Sequence, residues 1–234
     1  MSGPEPAVRT AVRSGISVGL ATGAYGISFG ALSVAAGLDV WQTCVLSLLM
    51  FTGGSQFAFI GVIGAGGAGA AATATAALLG ARNALYGLQM AAVLRPRGWR
   101  RPAAAQVTID ESTAVALAQS ADDPPARRAG FWSAGLSVFV FWNIATLLGA
   151  LLGDVLGDPT RWGLDGAAAA AFLALLWPRL RQRQAQAIGV LAAVVAVVMV
   201  PVAPAGVPVL AAAAVTAALA WWQYREPPHV RSQT

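Results

Sequence analysis

Two glycines followed by two polar residues lie inside a long apolar run, a combination suited to binding an anion. Gly53 and Gly54 precede Ser55 and Gln56 within the stretch FTGGSQF. Each glycine costs about 1 kcal/mol relative to alanine inside a helix, so the sequence predicts a helix that breaks here. The second half of such a helix begins with free amides and partial positive charge, which stabilise a carboxylate. The alternative is a kinked helix in which Gln56 bonds a neighbouring group.

A single arginine lies deep inside the next apolar run. Arg82 stands 13 positions before Arg95, which at about 1.5 Å per residue places it roughly 20 Å from the end of the run. An arginine in the middle of a membrane costs about 2.5–3.5 kcal/mol, so Arg82 is expected to face protein or water. Tyr86 and Gln89 share its helical face, and Asn83 is adjacent. The alternative is a structural arginine that satisfies the carbonyls of a broken helix.

Two adjacent carboxylates, Asp110 and Glu111, lie in the weakly apolar stretch 106–119. Buried carboxylates can take part in proton coupling. The structural alternatives are pairing with an arginine, or a short helix capped through Thr108. Asn143, inside an apolar segment, and Asp165, at the edge of one, are secondary candidates.

Several kinds of chemistry are excluded by residue counts. The chain has one cysteine, Cys44, and one histidine, His229. A disulfide, a cysteine- or histidine-based metal site and a catalytic triad are therefore not available within it. No phosphate-binding GxxxxGK[ST] motif is present, so energy for transport would come from an ion gradient, a separate ATPase or the substrate gradient. We expect no enzymatic activity, no metal and no cofactor.

The composition is typical of a membrane protein. Hydrophobic residues make up 57% of the chain and charged residues 11%, with a mean hydropathy of +0.64. A soluble domain carries about 25% charged residues, which it needs for a polar surface. The net charge is +5, but the arginines fall in short clusters between apolar segments. Such clusters set membrane topology and do not indicate nucleic-acid binding.

The sequence predicts an all-α integral membrane protein with about six to seven transmembrane helices, of which those in the N-terminal half are broken or re-entrant. A single transmembrane domain covers 15–224, between cytoplasmic tails at 1–14 and 225–234. The predicted segments are 15–37, 41–63, 68–94, 130–152, 163–178, 185–201 and 207–224.

Arginine placement gives the orientation. The clusters at 9–13, 95–101, 127–128 and 179–183 are expected on the cytoplasmic side, and so are both termini. In the first hundred residues, three apolar segments then lie between two cytoplasmic clusters. If all three crossed the membrane, the two clusters would lie on opposite sides. Either an arginine cluster faces outward, or 41–63 or 68–94 does not cross simply. We favour a segment that is broken, because non-helical backbone is tolerated where it is buried in protein or lines a cavity.

Small residues recur along one face of the first segment at intervals of three and four. This pattern predicts close packing against another helix, and the alternative is a thin wall beside a substrate path. The residues are Gly19, Gly23, Gly26, Gly30, Ser33 and Gly37.

Five motifs occur in an order that resembles the AzlC family of azaleucine-resistance, branched-chain amino-acid permeases. The resemblance extends over residues 10–222. Its most specific parts are the Gly-Gly-Ser-Gln and Arg-Asn-x-x-Tyr pieces. The motifs are GISFG at 26–30, FTGGSQ at 51–56, GARNALY at 80–86, IDES at 109–112 and GLD at 163–165.

The resemblance implies a bacterial inner-membrane exporter of branched-chain amino acids that works with a small hydrophobic AzlD-type subunit. It also implies secondary transport driven by the proton-motive force. A different class of function, a passive pore or a scaffold subunit whose partner makes the pathway, remains open.

The residues themselves suggest a binding arrangement. The helix break at 53–56 and Arg82 would take the substrate carboxylate. Ser55, Tyr86 and the carbonyls freed by the break would hold the ammonium. Asp110 or Glu111 would couple protons. The apolar side chain would face Phe57, Phe59 and Met90.

Overall fold

The computed structural model describes residues 6–156 and 179–225, together with positions 161, 173, 176 and 177. Most of the predicted segment 163–178, including Asp165, lies outside these residues. Within the described part, all regular structure is helical. The helices are α1 (Pro6–Gly23), α2 (Gly26–Ala35), α3 (Val40–Leu49), α4 (Gly54–Gly64), α5 (Gly69–Leu94), α6 (Arg100–Gln106), α7 (Asp110–Leu117), α8 (Pro124–Leu156), α9 (Arg183–Met199) and α10 (Val207–Arg225).

The first helix begins earlier than the sequence predicted. The predicted segment starts at residue 15, whereas α1 begins at Pro6 and carries both Arg9 and Arg13. Proline suits the first position of a helix, because its fixed φ is helical and the amide it lacks would be unpaired there. The helix therefore continues beyond its apolar part, into the segment that we had expected to be a tail.

The central packing unit is a parallel pair formed by α1–α2 and α8. Gly15 lies beside Ser133, Gly23 beside Phe141 and Gly30 beside Thr146, so both helices run in the same direction. A Cβ at Gly23 would lie 2.5 Å from the Cβ of Phe141, which leaves no room for a side chain. The predicted close packing of the small-residue face is confirmed for its glycines up to Gly30. Gly37 does not take part in this packing, since no atom lies within 4 Å of the position that its Cβ would occupy. It follows α2 with a φ of +97°, which favours glycine.

Helices α3 and α4 form a hairpin, the first hairpin (residues 40–64). Going down α3, Ser47 lies beside Thr146 and Phe51 then packs on Phe139, so α3 runs antiparallel to α8. The chain reverses after Phe51. Along α4 it returns to the C-terminal end of α2, where a Cβ at Gly64 would lie 3.2 Å from the Cβ of Ala36. The segment 41–63 is thus two short helices that leave from and return to the same end of the molecule.

Helices α6 and α7 form a second hairpin (residues 100–117), which approaches from the opposite end. Val107 lies beside Gly135 of α8, and Val115 beside Gly130. The chain therefore runs along α8 toward its C-terminal end as far as about residue 109, and then turns back toward its N-terminal end. The sequence did not predict this hairpin.

Helix α5 connects the two hairpins. Its 26 residues extend about 39 Å. Gly80 lies beside Ser55 at the start of α4, whereas Met90 and Leu94 pack with Phe131 near the start of α8. The C-terminal helices α9 and α10 match the predicted segments 185–201 and 207–224, and α9 buries none of its residues.

Candidate functional site

The first hairpin turns through a short non-helical segment at 50–53, which confirms the predicted helix break. Gly53 has φ +60° and ψ −92°, a combination that an L-residue rarely adopts, and α4 begins at Gly54. The fully buried side chain of Gln56 bridges the break. Its Oε1 accepts from the Gly53 amide at 3.2 Å, and its Nε2 donates to the Ser47 carbonyl at 3.5 Å. The helix is thus interrupted as predicted, and Gln56 bonds neighbouring backbone groups, as the alternative interpretation expected.

Arg82 on α5 joins the tips of both hairpins. Its Nη2 lies 2.9 Å from Oδ2 of Asp110, the first residue of α7. The same nitrogen donates to the Thr52 carbonyl in the break, at 3.4 Å. The Arg82 and Asp110 side chains are 28% and 20% exposed, so the pair is accessible at the surface of the chain. Three groups of residues that lie far apart in the sequence thus meet at one point.

A second hydrogen bond joins the hairpins directly. Gln106, at the end of α6, donates from Nε2 to the carbonyl of Leu48 in α3 at 2.8 Å. Neither Gln106 nor Thr52 was predicted from the sequence. A polar residue next to an apolar stretch was the available signal for Gln106. Thr52 contributes a backbone carbonyl, for which residue type gives no signal.

The tip of the second hairpin is fixed by Ser112, not by Thr108. The Ser112 hydroxyl accepts from the Ile109 amide at 3.0 Å and donates to the Val107 carbonyl at 2.7 Å. The Thr108 hydroxyl instead donates back to the Ala104 carbonyl at 2.6 Å. Of the two structural alternatives for Asp110 and Glu111, the cap through Thr108 is therefore wrong, because this hydroxyl, just after α6, bonds the carbonyl four residues earlier instead. The other alternative, pairing with an arginine, is confirmed for Asp110.

A cavity of about 410 Å³ lies between the break and α5. The Ser55 hydroxyl is buried there and has no hydrogen-bond partner among the described residues. A Cβ at Gly80 would lie 3.3 Å from that hydroxyl. Thr52 and Ala81 line the cavity. Thr52 also accepts a hydrogen bond from Arg82, and Ala81 precedes Arg82 in the sequence. The lining residues are Met50, Thr52, Ser55, Phe59, Thr73, Ala76, Ala77, Gly80 and Ala81.

The other predicted site residues are on α5, α7 and α8. Asn83, Tyr86 and Glu111 are half-buried, and Glu111 interacts electrostatically with both members of the ion pair. Asn143 lies on α8, where its Nδ2 donates to the Phe139 carbonyl at 2.8 Å.

The predicted apolar contacts are divided between the cavity and the two cores. Phe59 lines the cavity. Phe57 packs with Phe29 and Trp142 in one core cluster, and Met90 lies in the other. Two of the three side chains expected to face the substrate therefore stabilise the fold instead. Among the described residues, no cluster of three His, Cys, Asp or Glu side chains could hold a metal ion.

Comparisons with known proteins agree with the motif pattern. Two curated relatives, from two strains of Helicobacter pylori, are each named "Uncharacterized membrane protein". They are 26% and 24% identical over 157 residues, which cover 67% of this chain and 68% of each relative. No solved structure matches. Among the described residues, the helical segments Pro6–Ala35, which comprises α1 and α2, and Pro124–Gly153 of α8 are long and apolar enough to cross a membrane, which also supports a membrane protein.

The family comparison covers both hairpins and the parallel helix pair. The family model described as "AzlC protein" matches residues 17–156, from within α1 to the end of α8. That range includes Gly53, Arg82 and Asp110, and with them every contact of the candidate site. The chain therefore belongs to the AzlC family.

Proposed function

We propose that this protein is the large subunit of a secondary transporter that exports branched-chain or similar small apolar amino acids across the bacterial inner membrane. It works with a small AzlD-type subunit and uses the proton-motive force. Membership of a family associated with membrane transport supports the class of function. The observation that carries the proposal is the Arg82–Asp110 ion pair, which lies where two hairpin tips meet beside an apolar cavity.

The topology in this proposal follows from the parallel helix pair. Arg9 and Arg13 precede the apolar part of α1, and Arg127 and Arg128 lie in the first turns of α8. The cytoplasmic preference of arginine places both of these ends inside the cell. The first hairpin then enters from the outside and α5 crosses to the inside.

This topology removes the odd number of crossings. Two crossings, α1–α2 and α5, now separate Arg13 from Arg95, and the first hairpin adds none. The non-helical tip at 50–53 contacts α5 through the Thr52 carbonyl and α8 through the buried ring of Phe51. Non-helical backbone at membrane depth needs such protein contacts or a cavity. The second hairpin enters from the cytoplasmic side, and its tip meets the first.

The substrate fits the chemistry of this point. Arg82 and the first amides of α4, those of Gly54 and Ser55, bind the carboxylate. The short aliphatic side chain occupies the 410 Å³ cavity, whose volume lies within the usual range of about 300–1,000 Å³ for small-molecule sites. The unpartnered Ser55 hydroxyl supplies a further polar contact. Glu111, which interacts electrostatically with both members of the ion pair, couples the protons.

The test uses proteoliposomes that contain this chain and the AzlD-type subunit, loaded with labelled valine under an imposed pH gradient. Arg82→Ala is expected to slow export by at least about tenfold, because a carboxylate loses its charged partner. Gln56→Ala is expected to slow export because the break loses the two hydrogen bonds that hold its shape. Arg97→Ala is the matched control, since Arg97 is exposed on the loop after α5. Export by Arg82→Ala at the wild-type rate would show that the site is elsewhere.

A passive pore or scaffold subunit is the second candidate. Leu85 and Leu88 on α5 are 67% and 74% exposed, so this helix has a face available to another chain as well as to lipid. Counterflow separates the two candidates. A carrier exchanges external labelled valine faster when unlabelled valine is inside, whereas a pore shows no such stimulation and a scaffold alone shows no flux.

A further inference from the structure

We infer that the Arg82–Asp110 ion pair recognises the zwitterionic head of an α-amino acid, which inserts between the two side chains. The carboxylate binds Arg82 and the ammonium binds Asp110. This inference rests on the proposed function, because it concerns the same site. It assigns the ammonium to Asp110 in place of the freed carbonyls and Tyr86.

The charges of the pair are balanced both without and with a bound zwitterion. In the free protein each member of the pair satisfies the other, with Nη2 and Oδ2 separated by 2.9 Å. A zwitterion replaces this one ion pair with two, so neither Arg82 nor Asp110 is left unpaired. A molecule with only a carboxylate or only an ammonium would leave Asp110 or Arg82 without a partner, and an unpaired charge that is largely shielded from water is costly.

The guanidinium of Arg82 retains an unused donor. Only Nη2 makes the contacts to Asp110 and Thr52, and Nε is buried without a hydrogen-bond partner among the described residues. A guanidinium binds a carboxylate best through two parallel N–H groups. Arg82 can therefore gain a hydrogen bond when a substrate carboxylate arrives.

The break and the facing parts of α1 and α8 add no charge to the pair. Glu111, next to Asp110 on α7, is the additional charged side chain at the pair. The break at 50–53, residues 15–23 of α1 and residues 134–143 of α8 contain no titratable side chain. A second arginine or lysine therefore does not compete for Asp110 from these elements. The apolar cavity begins at Thr52 and Ala81, which is where the side chain of an inserted amino acid would lie.

Insertion also changes how the hairpins are connected. Asp110 is the first residue of α7, and Arg82 also binds the Thr52 carbonyl of the first hairpin. A zwitterion between Arg82 and Asp110 moves the tip of the second hairpin away from α5. Occupancy of the site is thereby linked to the distance between the two tips.

The first experiment uses the wild-type protein with its AzlD-type subunit in proteoliposomes. Competition against labelled leucine is measured for valine, for 4-methylpentanoate, which lacks the amino group, and for 3-methylbutylamine, which lacks the carboxylate. Valine is expected to compete well, and each analogue to bind at least about tenfold more weakly than leucine. If either analogue competes as well as leucine, the inference is wrong.

The second experiment repeats the competition with Asp110→Asn. The ratio between the affinities for leucine and 4-methylpentanoate is expected to fall toward one, because the amide no longer attracts an ammonium. Asp122→Asn makes the same substitution at an exposed position and should keep the wild-type ratio. A wild-type ratio in Asp110→Asn overturns the inference. If this variant does not fold, the analogue panel on the wild-type protein decides the question.

A screen of other amino acids separates this inference from the proposed function. If glycine or phenylalanine binds with the same preference over its charge-deleted analogues while leucine does not, the branched-chain assignment fails and zwitterion recognition stands. If no α-amino acid binds, both are overturned.

Discussion

The side chain of Gln106 donates a 2.8 Å hydrogen bond to the carbonyl of Leu48, and so ties the second hairpin to the first. The sequence separation between these residues is large, and the bond lies close to the break in the first hairpin. It is therefore a sensitive point at which to test whether the two hairpins act together.

Removal of this bond should loosen the hairpins. Gln106→Ala is expected to lower the free energy of unfolding by about 1 kcal/mol, because the Leu48 carbonyl loses its side-chain donor. Thermal unfolding in detergent measures the change. Gln119→Ala is the matched control, since Gln119 donates to the Val115 carbonyl in the preceding helix turn. Equal losses in the two variants would mean that the link between hairpins has no special weight.

The Arg82–Asp110 pair should show energetic coupling. In a double-mutant cycle of Arg82→Ala and Asp110→Ala, the combined loss of stability is expected to be smaller than the sum of the single losses by about 0.5–3 kcal/mol. The reason is that each single change leaves a charge unpaired, whereas the double change removes both. Chemical or thermal unfolding supplies the four values. Additive losses would contradict the 2.9 Å contact.

The break should require glycine at residue 53. Gly53→Ala is expected to destabilise the protein by about 1–3 kcal/mol, because φ +60° with ψ −92° strains a residue that has a Cβ. Space is not the cause, since no atom lies within 4 Å of the position of that Cβ. Gly61→Ala, within α4 and equally uncrowded, should instead raise stability by up to about 1 kcal/mol. Thermal unfolding of the two variants should therefore shift in opposite directions.

Ser55 should matter for binding and little for stability. Ser55→Ala removes a buried hydroxyl that has no partner among the described residues, so the free energy of unfolding should stay the same or rise slightly. Valine affinity, measured by competition in proteoliposomes, should fall.

Ser33→Ala gives the opposite pattern and serves as the control. The Ser33 hydroxyl donates to the Phe29 carbonyl at 2.7 Å, so its loss is expected to cost about 0.5–1.5 kcal/mol without a change in affinity. If Ser55→Ala lowers stability and leaves affinity unchanged, the hydroxyl is structural.

The sequence predicted the parts of the site that depend on unusual residue types. Paired glycines in an apolar run predicted the break at Gly53, and a charge deep in such a run singled out Arg82. Pairing of Asp110 with an arginine was one stated alternative, but that the arginine is Arg82 could not be predicted, because residue spacing alone does not say how separate segments pack. The odd number of apolar segments did indicate that one of them turns back.

The second hairpin could not be predicted because its helices are short and carry no clear apolar pattern. Helix α6 has seven residues and α7 has eight, far fewer than the roughly 20 that identify a spanning segment. A carbonyl of the broken helix was the stated alternative partner of Arg82, and the Thr52 carbonyl is such a partner. The residue that supplies it was hidden, since any residue at position 52 offers a carbonyl. The sequence offered two hydroxyls, those of Thr108 and Ser112, near the start of α7. The geometry of the turn decides that Ser112 bonds the Ile109 amide, and residue types alone do not show this.

The glycine contact between α1–α2 and α8 determines which parts of the molecule can move. A Cβ at Gly26 would lie 2.5 Å from the Trp142 carbonyl oxygen, so the two backbones touch with no flexible side chain between them. Close-packed surfaces of this kind do not deform gradually. The helix pair therefore serves as a rigid frame, to which each hairpin is joined at one end of the bundle. In the transporter proposed above, the hairpins would open one side of the membrane and then the other while this frame stays in place.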